Sequence, residues 1–194
     1  MRKSKVVQIG NFQDIEPRQF LSYCFNLDKL SIEEVIEEEI NFGYRSQCIG
    51  LLSKILGIKR HTIRKWGDNP NFTGMPQYAR QTCSYVVMAL SKEELIAITH
   101  CNSYKAPLIK AKHFIEEILL KGLSPSEKLK VVSSARFRGQ CLKLLGEVTS
   151  ASRNALYEWG SDIEFKKMPS HYNHTLAYAL MAYDKQIASK RSAA

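Results

Sequence analysis

The chain contains an internal repeat. When the sequence is shifted by 93 positions against itself without gaps, Trp66 falls on Trp159, and each is followed by Gly, by a Phe six residues on and by Met-Pro nine residues on. The chain has only two tryptophans, so chance does not place both in this context. Other identities in the same register are Arg45 and Arg138, Gln47 and Gln140, Cys48 and Cys141, Leu52 and Leu145, and Arg60 and Arg153. One folding unit is therefore present twice.

Helix-start signals occur in both copies. The pattern Ser-x-x-Glu, in which a hydroxyl and a carboxylate cap a helix reciprocally, begins at Ser31, Ser91 and Ser124. Alternation typical of a strand is confined to a short stretch from Val6 to Ile9. The pattern predicts an all-α fold of two tandem homologous repeats, residues 1–92 and 93–194, with about five helices each.

The order of elements within a repeat follows from caps and breakers. We expect a first helix of about a dozen residues, a second helix from the capping serine, a closely joined helix pair, a loop, and a last helix after the Met-Pro pair. Pro17 leads Ser31 by 14 residues, whereas Pro107 leads Ser124 by 17. Three residues are nearly one helical turn, so the first helix of the second copy is predicted to be one turn longer.

The closely joined helix pair lies in residues 51–66. An amphipathic helix runs to Leu56, Gly57 breaks it, and a second short helix begins near Lys59. Ser53 is small where the helices cross, and glycine at position 57 allows the tight turn. The side chains expected on the inner face are Leu52, Leu56, Ile58, Ile63 and Trp66.

The outer face of the second short helix is basic. It is predicted to carry Lys59, Arg60, His61, Arg64 and Lys65. A short helix with this many cationic and hydrogen-bonding side chains suits the major groove of DNA. The segment resembles the helix-turn-helix of phage-repressor and Cro-like DNA-binding proteins, and the resemblance extends over residues 31–90 and 124–183.

The resemblance implies roles for individual residues. In that family the start of the second helix and the next turn read bases, which here implies Lys59, Arg60, His61 and Lys65, while Thr62 and Arg64 lie nearer the phosphates. The family often has a phosphate-binding Gln at the start of the first helix, where this chain has Ile49. The residues predicted to replace that contact are Arg45 and Gln47 in the first copy and Arg138 and Gln140 in the second.

The second copy has a weaker charge pattern. Its outer helix is predicted to present Ser152, Arg153, Asn154, Tyr157 and Glu158. Arg153 and Glu158 cancel, so this helix has none of the +4 of the first copy. Two interpretations remain open: it reads a different half-site through Arg153 and Asn154, or it packs against a protein partner through Ser152, Tyr157 and Glu158.

The net positive charge of the chain favours an anionic partner but does not identify it. The chain has 28 Lys and Arg against 19 Asp and Glu, a formal net charge of +9. One acidic block runs against this trend and is expected on a solvated helix face that avoids DNA: Glu33, Glu34, Glu37, Glu38 and Glu39. The basic runs MRKSK at the start and Lys185 to Arg191 at the end are expected to be frayed ends, with arms along the phosphates as the alternative.

The sequence lacks the signatures of several protein classes. No signal peptide or membrane-length apolar run is found, and five cysteines without a C-x-x-C favour a reducing cytoplasm over a disulfide or zinc framework. Catalytic motifs are absent, so we expect neither an enzyme nor a cofactor. His171 and His174 lack further ligands, and no metal is expected. Trp66, Trp159, Cys48 and Cys141 are predicted to lie in the core.

These features predict a sequence-preferring double-stranded DNA-binding protein of the cytoplasm, nucleoid-associated in a bacterium. The expected activity is transcription regulation at an asymmetric operator of two half-sites, because the two outer helices differ. The alternative is a DNA- and protein-binding adaptor of a plasmid or mobile element, in which the second repeat docks a protein. A homodimer or a contact with the transcription machinery stays open.

Overall fold

A computed structural model describes residues 14–68 and 70–192, and within these ranges the chain is helical with no strand. The predicted all-α class is confirmed. The stretch from Val6 to Ile9 and the MRKSK segment lie outside the described residues. The helices are α1 (Pro17–Cys24), α2 (Ile32–Ile40), α3 (Tyr44–Leu56), α4 (Arg60–Ile63), α5 (Gln77–Ala89), α6 (Lys92–His100), α7 (Ala111–Leu119), α8 (Pro125–Val132), α9 (Phe137–Thr149), α10 (Arg153–Glu158) and α11 (Tyr172–Ser192).

Three helices begin where the capping pattern predicted. Ser31, Ser91 and Ser124 are the N-caps of α2, α6 and α8, and each accepts a hydrogen bond from the backbone N–H of the glutamate three residues on. Each glutamate carboxylate in turn accepts a hydrogen bond from the backbone N–H of its serine. The three predicted capping boxes are confirmed.

Equivalent backbone conformations recur in the two copies. Helices α3 and α9 are both 13 residues long and begin 93 positions apart. Phe72 and Phe165 have positive φ values of 41° and 46°, a region that side chains other than glycine rarely adopt, and both rings are buried. Two equivalent phenylalanines therefore share the same strained loop conformation.

The last helices of the two copies, α5 and α11, pack against each other at equivalent residues. The hydroxyl oxygens of Thr82 and Thr175 are 2.8 Å apart, and the rings of Tyr78 and His171 are 4.5 Å apart. Both pairs are separated by 93 positions, the offset of the repeat. Residues that meet their own equivalents lie beside a two-fold axis, so the two copies are related by an approximate intramolecular two-fold.

The core is continuous around this axis. Tyr85 and Tyr178, another equivalent pair, are fully buried. Cys48 and Cys141 are also buried, as predicted, and burial raises the pKa of Cys48 to about 12 and that of Cys141 to about 11. Both thiols therefore stay protonated at neutral pH and pack as small apolar groups.

The connection between the copies differs from expectation. Helix α6 packs against α1 and α3, and the Lys54 ammonium donates a 2.9 Å hydrogen bond to the carbonyl of Cys101, just after α6 ends. Helix α7 begins at Ala111, so Pro107 precedes it in a non-helical segment. The predicted extra helical turn is wrong, since the backbone N–H of Ile109 instead donates to the carbonyl of Asn173 near the start of α11.

Helix α11 is longer than its equivalent. It has 21 residues against 13 in α5 and includes the run from Lys185 to Arg191. The Lys185 ammonium lies 3.4 Å from the carbonyl of Ala89 at the end of α5. The expectation of a frayed end is therefore wrong for this run, because the helix continues through it.

The two tryptophans are buried, as the sequence predicted. We expect Trp66→Ala and Trp159→Ala each to lower the free energy of unfolding by about 3–5 kcal/mol, since each would leave a cavity in the core. Urea denaturation followed by circular dichroism measures the change. Phe42→Ala is the matched control, because this aromatic ring is fully exposed and its loss should cost less than about 0.5 kcal/mol. Equal stability of the tryptophan variants and the control would contradict the assigned packing.

Candidate nucleic-acid interface

The pair α3 and α4 is joined by a tight turn. Gly57 follows α3 in the left-handed conformation, with φ 64° and ψ 25°, and Lys59 is the N-cap of α4. The Ser53 hydroxyl donates a 2.7 Å hydrogen bond to the carbonyl of Ile58, which ties the turn to α3. Helix α4 continues as a 3-10 turn over Arg64–Trp66. The predicted role of Gly57 is confirmed, and Ser53 adds a hydrogen bond that its small size did not predict.

A buried inner face fixes the orientation of α4. Leu52, Leu56, Ile63 and Trp66 are buried, and Ile58 is half-buried against the core. At residue 50, glycine leaves room for the side chain of Arg60, whose Nη2 would lie 3.2 Å from an added Cβ. Because these contacts set the rotation of α4, its opposite face points to solvent.

The exposed face of α4 is cationic. We call the exposed residues Lys59, Arg60, His61, Arg64 and Lys65 the basic face. Thr62 is half-buried between them. Within residues 14–68 and 70–192, none of the four Lys and Arg side chains forms an ion pair, although seven ion pairs are present elsewhere. Four positive charges therefore remain unneutralised on a single short element.

Arg45 and Arg138, predicted to contact phosphates, make contacts with the loop that follows the tryptophan in each copy. The Arg45 guanidinium donates a 3.0 Å hydrogen bond to the carbonyl of Gly67 and lies 5.6 Å from the centre of the Phe72 ring. Arg138 donates to the carbonyls of Gly160 and Asp162, the latter at 2.7 Å. Each guanidinium holds the loop after the tryptophan, which explains why arginine occurs in both copies.

The neighbouring glutamines differ from these arginines. Gln47, in the first turn of α3, and Gln140, in the first turn of α9, are both exposed. Neither side chain forms a hydrogen bond within the described part of the chain. Their amides are therefore accessible to a ligand, whereas the Arg45 and Arg138 side chains bind the loop.

The exposed face of α10 is arranged differently. Ser152 is its N-cap and accepts a hydrogen bond from the backbone N–H of Ala155. The Arg153 guanidinium donates a 3.2 Å hydrogen bond to the Tyr157 hydroxyl and lies 5.6 Å from the ring centre. Asn154 and Glu158 are exposed. This face is neutral overall and presents an arginine already bonded to a tyrosine.

Residues near the two-fold axis brace both turns. Gln81 on α5 donates a 2.6 Å hydrogen bond to the carbonyl of Glu147 and accepts one from the hydroxyl of Ser150, which stands where Gly57 stands in the first copy. Its equivalent, His174 on α11, lies against Gly57, where an added Cβ would come within 2.2 Å of the imidazole Nε2. Each last helix thus contacts the helix turn of the other copy.

His171 and His174, the two histidines considered as metal ligands, both make contacts with other parts of the chain. The His174 Nδ1 lies 2.8 Å from the carbonyl of Pro107. His171 stacks on Tyr78, and burial lowers its pKa. Among the described residues, no three His, Cys, Asp or Glu side chains are grouped as metal ligands.

An approximate two-fold relates the basic face to the face of α10. Two points related by a two-fold axis have the same position along that axis. The outer residues of α4 and of α10 therefore lie at the same position along the axis. Both turns lie beside contacts made by α5 and α11. The two faces are therefore held in one fixed relation within a single chain.

Comparison with known proteins adds no relative: no family model, no curated protein and no solved structure matches the chain. Within the described residues, no helix is both long and apolar enough to span a bilayer.

The role of Arg45 can be tested through stability. We expect Arg45→Ala to lower the free energy of unfolding by about 1–3 kcal/mol, because a carbonyl at the loop loses a charged donor. Arg45→Lys should recover little of the lost stability, since the lysine ammonium lacks the planar, forked arrangement of donors in a guanidinium. Gln47→Ala, two residues away and exposed, is the control and should change stability by less than about 0.5 kcal/mol. An Arg45→Ala variant as stable as Gln47→Ala would mean that the guanidinium does not hold the loop.

Proposed function

We propose that this chain binds double-stranded DNA with sequence preference and acts as a transcription regulator. In this proposal α3 with α4 and α9 with α10 are two helix-turn-helix units of the phage-repressor and Cro-like class. The basic face carries the proposal: an exposed cationic surface without internal ion pairs, fixed in orientation by a buried inner face and a left-handed glycine turn.

The charge pattern favours a polyanion as the ligand. Four cationic side chains project from α4 and the 3-10 turn that follows it: Lys59, Arg60, Arg64 and Lys65. The whole protein carries a formal charge of +9. Binding to phosphates releases condensed counterions from DNA, which favours association and makes it salt-dependent. The surface therefore suits phosphate contacts on either side of a groove.

Individual roles follow from the position of each side chain. Arg60 and Lys65 are the proposed readers of guanine, because a guanidinium or ammonium matches the O6 and N7 acceptors in the major groove. Lys59 and His61 lie at the start of α4 and are proposed base contacts. Phosphate contacts are assigned to Arg64, with Thr62 beside it, and to the exposed amides of Gln47 and Gln140.

The second unit is proposed to read bases with little electrostatic help. Asn154 is exposed, and an asparagine amide can bond to adenine N6 and N7. Arg153 would exchange its bond to the Tyr157 hydroxyl for a base contact, while Ser152 and Tyr157 border the groove. Since α4 and α10 differ in charge and side chains, the site should be asymmetric, with half-sites about one helical turn, roughly 34 Å, apart.

The first test is the salt dependence of binding. We expect Arg64→Ala with Lys65→Ala to flatten the plot of log K against log[salt] by about 0.9 per lost phosphate contact, because fewer counterions are released. Fluorescence anisotropy with a labelled duplex over a salt series gives the slope. The control, Lys105→Ala with Lys110→Ala, removes the same charge from exposed residues in the segment before α7. An equal change of slope in both variants would remove the assignment of DNA binding to the basic face.

The second test asks whether α10 reads bases. Replacing Arg153 and Asn154 by Ala should relax sequence preference on one side of the site, at about 1–3 kcal/mol per lost pair, while the salt slope stays nearly unchanged. Competition between selected and single-base-altered duplexes measures this. Wild-type affinity and selectivity in the variant would contradict base reading and favour the adaptor function, with a protein partner on α10.

A further inference from the structure

Helix α2 presents an apolar stripe to solvent. Ile32, Ile36 and Ile40 are spaced by four residues, so they lie along one face of the helix. Their exposed fractions are 76%, 49% and 77%, and the fully exposed ring of Phe42 follows directly. Contiguous exposed apolar side chains on one helix mark a surface that another molecule covers.

Acidic residues flank this stripe. The helix contains five glutamates and no cation. Glu34 belongs to the capping box and Glu39 pairs with Arg18 at 2.8 Å. Glu33 and Glu37 are exposed, and within the described ranges neither forms an ion pair. The occupant of this surface should therefore combine apolar and cationic side chains.

The equivalent helix of the second copy, α8, has that combination. Leu129 is 71% exposed, and Val132 is exposed one turn further along. Lys128 and Lys130 beside them are also exposed, and neither forms an ion pair in the part of the chain that the structure describes. Lys130 stands 93 positions after Glu37, so the charge is reversed at equivalent positions.

Only one pairing between copies of the chain is complementary. Contact between two α2 helices would place glutamates against glutamates, and contact between two α8 helices would place lysines against lysines. Contact between α2 of one molecule and α8 of another brings opposite charges and two apolar stripes together. The two surfaces are different parts of one chain, so such a contact is heterologous and can be repeated from one molecule to the next.

We propose that α2 of one molecule docks onto α8 of a second copy, with Ile32, Ile36 and Ile40 packed against Leu129 and Val132 and with Glu37 beside Lys130. Repetition of this contact joins molecules head to tail. Two short helices bury little area, so the contact is weak in free solution and gains effect where copies are held close together. The proposal concerns the protein alone and stands or falls separately from DNA binding.

Sedimentation velocity of the full chain over a concentration series, without DNA, tests the contact. We expect the average mass to rise above 22.2 kDa with concentration. Glu37→Lys and Lys130→Glu should each weaken association about fivefold, because each places like charges together. The variant with both substitutions restores opposite charges across the contact and should associate like the wild type.

A mixture of the two single variants sharpens the test. In the mixture, every contact between a Glu37→Lys chain and a Lys130→Glu chain joins opposite charges, so the mixture should associate like the wild type although neither variant does so alone. Leu129→Ser should also weaken association, whereas Leu108→Ser, at a residue 61% exposed in the segment before α7, should leave it unchanged. Circular dichroism verifies that each variant is folded.

Other results would overturn the proposal. Stronger association of Glu37→Lys would indicate a symmetric α2 contact between two copies. A wild type that remains monomeric throughout the series, or a double variant that associates no better than the single variants, would show that α2 and α8 do not pair and that α2 is covered by a different molecule.

Discussion

The contact between α5 and α11 at the two-fold axis determines how the two copies are arranged. The Thr82 hydroxyl donates to the carbonyl of Tyr78, so its bond with Thr175 must use the Thr175 proton. The residues directly before these threonines, Gln81 and His174, contact the helix turn of the opposite copy. The crossing therefore joins the copies and holds both turns. A two-fold pair within one chain also needs no second molecule, so its geometry does not depend on protein concentration.

Symmetry in the core coexists with differences on the surface. Buried equivalents are closely matched, as with Tyr85 and Tyr178 or Phe72 and Phe165, because both copies fill the same space. The exposed faces diverge: α4 is basic where α10 is neutral, and α2 is acidic where α8 carries two lysines. Residues outside the core are free of the packing constraint, which allowed the duplicated surfaces to diverge in charge.

The sequence predicted what depends on local pattern. The capping boxes, the glycine turn and the buried tryptophans all follow from short-range chemistry, and each is confirmed. The contacts that Arg45 and Arg138 make with the loop were missed, because an arginine present in both copies fits a phosphate contact as well as a loop clamp. The signal that separates the two is Phe72 and Phe165, repeated in the same register as the arginines, but only coordinates show the rings beneath the guanidinium groups. The place of Pro107 likewise depends on contacts with α11 that lie far away in sequence.

The central proposal is that one chain binds DNA through two unlike surfaces, the exposed faces of α4 and α10. Selection of duplexes from a random pool, followed by hydroxyl-radical footprinting of the selected site, tests it most directly. The account predicts an asymmetric sequence with two protected patches on one face of the duplex, about one helical turn apart. A palindromic site, a single protected patch, or no enrichment over random DNA would contradict it.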